Sequence, residues 1–510
     1  MSAPIDTQKA GRREWMGLAV LVLPCLLVAM DLTVLNLAVP SLSAALAPSA
    51  SQLLWIVDIY GFLIAGSLIT MGTLGDRIGR RRLLLMGATA FGAASVLAAF
   101  ATSAGTLIAA RAVLGVAGAT LMPSTLSLIR NMFHDPRQRT AAIGIWTTSF
   151  SIGGILGPLL GGMLLAHFWW GSVFLLAVPA MALLLVLGPM LLPEFREEQP
   201  GHFDIPSAAL SLFAILAVIF GVKRIAEYGL GHTPLASIGV GVLLGAAFIR
   251  RQRQPEDPLI DLGLFERAAF SASLGINTLA FFVMYGVFFF MAQFLQLVLG
   301  LSPLAAGLWT VPSSAAFIVG SLLTPVVLRH VRPWLMMAGG LIICAVGLSV
   351  LTWVDGEYGL PPIVIGSIVV LLGLAPVYIL ATDMIVASAP PERAGAASAM
   401  SETSAELGGA LGIAILGSIG AAVYRGMMAE ALPAGIPAEK AETARATLGG
   451  ALSAAASVGG PLGVELMARA REAFAQGLEM TAVIGAAVVL AAAVTAVMTL
   501  RRVAWQGGSS

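Results

Sequence analysis

The sequence predicts an all-α membrane protein with fourteen transmembrane helices: two six-helix pseudo-repeat bundles plus two inserted helices. Three observations predict it. Of the 510 residues, 58% are hydrophobic and only 11% are charged, whereas a soluble domain carries about 25% charged residues. Apolar runs of bilayer-spanning length, about 20 residues, recur along the chain. Arginines gather in alternate connections, as the positive-inside rule requires of a polytopic protein.

The first run, near 17–39, follows Lys9, Arg12 and Arg13. It is too long for a signal peptide, carries Asp31 and lacks a small-residue cleavage site, so it is expected to stay as a spanning helix. Further spans are expected near 53–74, 83–103, 107–129, 140–165 and 171–192. Two shorter ones follow near 205–222 and 234–249, and six more near 270–295, 303–328, 334–354, 361–388, 395–424 and 477–500.

Connections expected inside hold Arg77, Arg80, Arg81 and Arg82, then Arg130, Arg137 and Arg139. Later ones hold Arg250, Arg251, Arg253 and Arg267, then Arg329 and Arg332. The outward loops 40–52, 102–106 and 296–302 hold no Lys or Arg. Only the expected loop 223–233, with Lys223 and Arg224, breaks the alternation. An even count puts both termini inside, in agreement with Arg501 and Arg502 at the far end of the chain. The expected division is an N-terminal six-helix bundle over 1–195 and two inserted helices with cytoplasmic linkers over 196–266. A C-terminal six-helix bundle follows over 267–510, including a long, mostly polar and partly helical extracellular loop at 425–476.

A net charge of +1 gives no reason to expect a nucleic-acid partner. Cys25 and Cys344 lie in apolar runs and read as small hydrophobes. The five histidines show no ligand spacing, so no metal site is expected. The catalytic signatures G-x-S-x-G, H-E-x-x-H and C-x-x-C are absent, as is the phosphate-binding G-x-x-x-x-G-K. Neither an enzyme nor an ATP-driven pump is therefore expected, and no cofactor.

The chain carries an internal repeat. Thr147-Thr-Ser-Phe-Ser-Ile-Gly-Gly-Ile-Leu-Gly157 in the fifth span matches Glu402-Thr-Ser-Ala-Glu-Leu-Gly-Gly-Ala-Leu-Gly412 in the thirteenth. They share Thr-Ser, Gly-Gly and Leu-Gly in register. A second echo joins Gly72-x-Leu74 and Arg80 to Gly320-x-Leu322 and Arg329. Both fit two six-helix halves separated by the seventh and eighth spans, a construction common among transporters.

Four motifs now carry a resemblance. The first span reads Met30-Asp31-Leu32-Thr33-Val34-Leu35-Asn36-Leu37-Ala38-Val39-Pro40. The loop after the second reads Gly72-x-Leu74-x-Asp76-Arg77-x-Gly79-Arg80-Arg81. The fourth span has Arg111-x-x-x-Gly115-x-x-Gly118-Ala119, and the fifth has Gly153-Gly154-x-x-Gly157-Pro158-x-x-Gly161-Gly162. In these motifs the chain resembles the major facilitator superfamily, specifically its 14-span drug:proton antiporters of the quaternary-ammonium and multidrug efflux type. The resemblance implies a bacterial inner-membrane protein, working as a monomer and driven by the proton gradient. It also implies that Gly72, Asp76, Arg77, Gly79 and Arg80 act as a conformational latch. The antiporter-motif helix, with Gly153, Gly157, Pro158 and Gly161, would form part of a sliding contact between the halves.

Carboxylates inside spans carry the chemistry, because an acid at the membrane centre costs about 2.5–3.5 kcal/mol and is a functional candidate by default. Asp31 lies about 21 Å along the first span, from the 1.5 Å rise per residue. Asp58 lies near the outer end of the second, and Glu402 and Glu406 are one turn apart on one face of the thirteenth. A carboxyl removed from water resists ionisation, so protons and a cation can alternate on it. We therefore read Asp31 and Asp58 as proton-coupling groups and Glu406 and Glu402 as substrate-binding groups. Arg111 needs a counter-charge, with Asp31 or Asp58 as the partner, and would tune proton affinity. Asp383 reads as structural.

Lipophilic cations also need aromatic walls. Tyr285 and Trp309 are the candidates taken forward from a set that includes Trp55, Trp146 and the phenylalanines of the ninth span. With so few acids, monovalent cations should be handled better than divalent ones. The expected function is proton-coupled export of small lipophilic organic cations such as quaternary ammonium compounds, dyes and antiseptics. The alternative is export of a lipid or uncharged antibiotic by the same fold.

Overall fold

A computed structural model describes residues 10–196, 204–253, 262–354, 359–388 and 394–501. Lys9, Arg502 and the side chains of Asp76 and Arg137 lie outside the described residues. Fourteen helices among those described are long and apolar enough to cross a membrane. The first half contains α1 (Arg12–Leu46), α2 (Ala50–Ile78), α3 (Arg80–Ala99), α4 (Ala104–Met132), α5 (Pro136–His167) and a sixth span. That sixth span is interrupted at Leu176 into α6 (Ser172–Leu175) and α7 (Ala177–Leu191). The inserted pair is α8 (Ile205–Tyr228) and α9 (His232–Gln252). The second half contains α10 (Ala268–Gln293), α11 (Pro303–Val327), α12 (Pro333–Val350), α13 (Leu360–Ala387) and α14 (Ala394–Ala431). It ends with the short helices α15 (Ala438–Ala446) and α16 (Leu448–Val458), then α17 (Gly460–Thr495).

Local sequence sets the helix starts. Ser49 and Ser103 cap α2 and α4 by accepting from the amides of Gln52 and Thr106. Asp135, Asp204 and Ser302 do the same for α5, α8 and α11, each with a proline in the first turn. These caps satisfy amides that have no partner inside the helix. Gly79, at φ +108°, reverses the chain between α2 and α3 in a conformation other residues rarely adopt.

The two halves are built alike. Within the first, α1 packs on α5, α2 on α4, α3 on α4 and on α7, and α1 on α7. Within the second, the equivalent pairs are α10 with α14, α11 with α13, α12 with α13 and α17, and α10 with α17. Across the divide α2 meets α14 and, symmetrically, α11 meets α5. The matched sequences serve the same purpose in each half. A Cβ on Gly153 would come 2.5 Å from the Leu26 carbonyl of α1, and Gly157 sits against Met30 and Thr33. Their repeat partners Gly408 and Gly412 sit against the backbone of Thr278 and Phe282 of α10. Small residues at this spacing let two membrane helices approach closely.

Of the inserted helices, α8 packs against α2, α14 and α9. At the end of the pair nearest the N-terminus, the Arg251 guanidinium donates to both oxygens of Asp204 at 3.0–3.2 Å. Burial alone would raise the Asp204 carboxyl, but hydrogen bonds from Arg251 and Ser207 hold it below the usual carboxylate range.

Two expectations are corrected. The expected loop 425–476 is mostly helix: α14 runs on to Ala431, and α17 begins at Gly460 rather than near 477. The early part of α17 is amphipathic. Leu466, Ala470, Ala473 and Phe474 are buried, while Arg469 and Glu472 face out, so its charges do not end the helix. Lys223 is likewise no loop residue. It lies inside α8 with its side chain fully buried, because an acid on α2 neutralises it.

Candidate functional site

The helices bring the acidic residues into two groups at different depths. One lies in the third of the bundle farthest from the N-terminus, where α1, α2 and α4 meet. Arg111 of α4 is 0% exposed. Its Nη1 donates to Oδ2 of Asp31, its Nε to the Ile56 carbonyl at 3.1 Å and its Nη2 to the Val57 carbonyl at 3.4 Å. The guanidinium lies 4.4 Å from the centre of the Tyr60 ring, which adds a cation–π contact. Every side of the buried charge is therefore compensated. The Asp31 side chain keeps 15% exposure and lines a small cavity with Leu27, Val34, Phe91 and Phe174.

Asp58, expected as a proton-coupling acid and as one of two candidate partners for Arg111, pairs with Lys223. Lys223 Nζ lies 2.8 Å from both of its oxygens, with both side chains 0% exposed. The same ammonium is 3.8 Å from the centre of the Trp55 ring. The ion pair ties the inserted helix α8 to α2.

Deeper toward the N-terminal end, Glu402 and Glu406 lie on one face of α14, half-buried. Tyr378 Oη of α13 donates to Glu402 Oε1 at 3.4 Å. Its ring packs edge-on against Phe281 at 5.4 Å and against Phe317 at 6.4 Å, and Phe281 stacks on Tyr285 at 6.1 Å. Tyr285 lies against Gly409, whose missing side chain makes room for the ring. Four aromatic rings from α10, α11 and α13 thus flank two carboxylates. Among the described residues neither Glu402 nor Glu406 has a Lys or Arg within ion-pair distance. One turn beyond Glu406, Ala410 meets Gly61 of α2 across the divide. Such an arrangement suits an apolar cation, since aromatic faces and a carboxylate replace its hydration.

Trp309 stands apart. It is 43% exposed and lies about 80° around α11 from Phe317, given 3.6 residues per turn. Trp146 donates to Thr125 at 3.1 Å and braces α5 on α4. The contacts between the halves gather at the end remote from the N-terminus. Gln296 Nε2 donates to the Leu37 carbonyl at 3.0 Å. A Cβ on Gly307 would come 2.5 Å from the Pro158 carbonyl, and one on Gly162 would come 2.7 Å from Leu304 Cα. The α5 motif therefore faces α1 through Gly153, Gly157 and Gly161, and α11 through Pro158 and Gly162.

The segment Gly72–Arg80 joins α2 to α3 at the opposite end. Gly72 faces Pro123 of α4, and Gly75 makes room for the buried Arg80 side chain. The Arg80 amide donates to the Phe195 carbonyl at 2.8 Å, and the Arg81 amide to Glu194 at 3.1 Å. Arg77 is half-buried in the last turn of α2.

Sequence reasoning missed Tyr378, Phe317, Glu194 and the role of Lys223. A signal existed for two of them: Lys223 was the exception to the charge alternation, and Tyr378 is a polar ring within an otherwise apolar span.

Comparisons with known proteins agree with this fold. The sequence profile of the Major Facilitator Superfamily matches residues 21–413. The chain is 45% identical over 497 residues to the multidrug efflux pump LfrA of Mycolicibacterium smegmatis, covering 98% of each. It is 36% identical over 468 residues to the methyl viologen resistance protein SmvA of Salmonella typhimurium, covering 91% of this chain and 93% of that one. In fold it matches an inward-facing, unoccupied bacterial homologue of the human lysosomal transporter Spinster. The TM-score is 0.66 at 21% identity, over 98% of this chain and 100% of the other.

Proposed function

The chain belongs to the major facilitator superfamily, and on that premise we propose that it exports lipophilic organic cations in exchange for protons. It is a multi-pass membrane transporter of small molecules rather than an enzyme. The finer reading rests on one observation: two carboxylates that have no basic partner among the described residues, flanked by Phe281, Tyr285, Phe317 and Tyr378, at the divide between the halves. The names of LfrA and SmvA, a multidrug efflux pump and a methyl viologen resistance protein, support the substrate class.

In this reading Glu406 and Glu402 receive the cation. Asp31, held by Arg111, carries the proton, and no cofactor takes part because the proton gradient drives the cycle. The protein sits as a monomer in a bacterial inner membrane with both termini in the cytoplasm. The end closed by Gly162, Gly307 and Gln296 is then the outer end, and the carboxylates lie on the cytoplasmic side of that closure. Cations enter from the cytoplasm or inner leaflet, the halves rock, and the outer contacts part. The segment Gly72–Arg80, with Asp76, would lock the inner end in the opposite state.

The direct test uses purified protein in liposomes with an imposed pH gradient. Ethidium should move only while the gradient exists, and gradient-independent movement would refute the coupling. A second prediction concerns the outer closure. Gly307→Val places a branched side chain against the Pro158 carbonyl and overpacks the contact at a cost of about 1–3 kcal/mol. Ethidium export should fall about tenfold, the factor that corresponds to 1.4 kcal/mol, with an unchanged yield of folded protein. Export at the wild-type rate would show that this contact does not form in the cycle.

A further inference from the structure

The Asp58–Trp55 site has the chemistry of a cation-binding site and is filled by the chain itself. A carboxylate accepts a hydrogen bond from one ammonium through Oδ1 at 2.8 Å and holds Oδ2 at the same distance from it, and an aromatic face lies 3.8 Å from the same ammonium. These are the two features that surround Glu406 in the proposed substrate site. The occupant is Lys223, reaching in from α8, which touches α2 of one half and α14 of the other. Below it the seam is lined by Phe62 of α2, Ile219 of α8, and Ala410 and Ala414 of α14. The hydrogen bonds of Arg111 go to Asp31 and the carbonyls of α2.

Position gives this arrangement a consequence. A Cβ on Gly61 of α2 would lie 3.4 Å from the Ala410 Cβ of α14. The helices run antiparallel there, with Asp58 three residues toward the outer end on one and Glu406 four residues toward the inner end on the other. At 1.5 Å per residue, the two acids are about 10 Å apart along the seam.

We infer that Lys223 is a tethered cation that sets the charge selectivity of the transporter. It neutralises a second anionic aromatic station on the substrate path, so only the Glu402–Glu406 station is open to a substrate. A single-headed cation is thereby favoured over one bearing two separated charges. This inference rests on the proposed cation export and adds the residue that limits substrate charge. It gives the inserted helices a direct part in recognition.

The test compares hexane-1,6-bis(trimethylammonium) with its single-headed analogue hexyltrimethylammonium as inhibitors of ethidium export in liposomes. In Lys223→Ala the ratio of their inhibitory strengths should shift about tenfold toward the dication, as an added unit charge in partly buried surroundings implies. In Asp58→Asn/Lys223→Ala the ratio should return to the wild-type value. An unchanged ratio in Lys223→Ala would overturn the inference. Should Lys223→Ala prove too unstable to reconstitute, its unfolding temperature in detergent decides. A rise with added methylammonium, absent with uncharged acetamide and absent in the double variant, supports a cation site, and no rise overturns it. Failure of cation export itself would appear separately, as wild-type protein that does not move ethidium.

Discussion

Glu406→Gln should slow gradient-driven export of a lipophilic monocation by about thirtyfold, with the protein still folded in the membrane. The side chain keeps its shape and loses its charge. Truncating one member of a desolvated charge pair costs about 2 kcal/mol or more, and 2 kcal/mol is a factor of about thirty. Among the described residues no basic residue is paired with Glu406, so its neutralisation strands no partner there. Glu402→Gln should do less, because Glu402 already accepts from Tyr378 at 3.4 Å. Initial rates of ethidium movement, normalised to reconstituted protein, check both. An exporter of lipids or uncharged antibiotics would retain most of its activity in Glu406→Gln, so the same measurement separates the two substrate classes.

Asp31→Asn should abolish uphill accumulation while leaving the cation able to bind. It should also destabilise the protein, since Arg111 would lose the carboxylate charge it pairs with and be left with neutral partners such as the Ile56 and Val57 carbonyls and the Tyr60 and Phe174 rings. Stranding a buried charge in this way costs about 3–5 kcal/mol. A structural role and a coupling role therefore predict different outcomes for Asp31→Asn/Arg111→Gln, in which no stranded charge remains. Its thermal stability should recover toward wild type, and its pumping should not. Recovery of both would make the pair a structural element alone.

Much of this was legible in the sequence because lipid makes the rules strict. A backbone in hydrocarbon must satisfy its own hydrogen bonds, so apolar runs became helices, and the arginine alternation fixed their number. The Gly-Gly-x-x-Gly repeat was legible for a similar reason: close helix packing leaves little choice of residue, and Gly153 and Gly408 make equivalent contacts on α1 and α10. Arg111 announced its need for an acid, and Asp31 answered it.

What stayed hidden depended on distant partners. Lys223 near the end of an apolar run reads as a loop charge until Asp58 and Trp55, about 165 positions away in the chain, are brought beside it. Tyr378 and Phe317 join the acidic face only through the packing of α13 on α11 and α14. The extension of α17 to Gly460 was masked by its charges, which lie on its exposed face outside the apolar run.

The central claim is that cation and proton replace one another on carboxylates within the membrane. Titrating purified, weakly buffered wild-type protein with ethidium while recording pH tests it most directly. Cation binding should release protons, and Asp31→Asn/Glu406→Gln should release none. Saturable binding by the wild-type protein with no proton release at any pH would contradict the account.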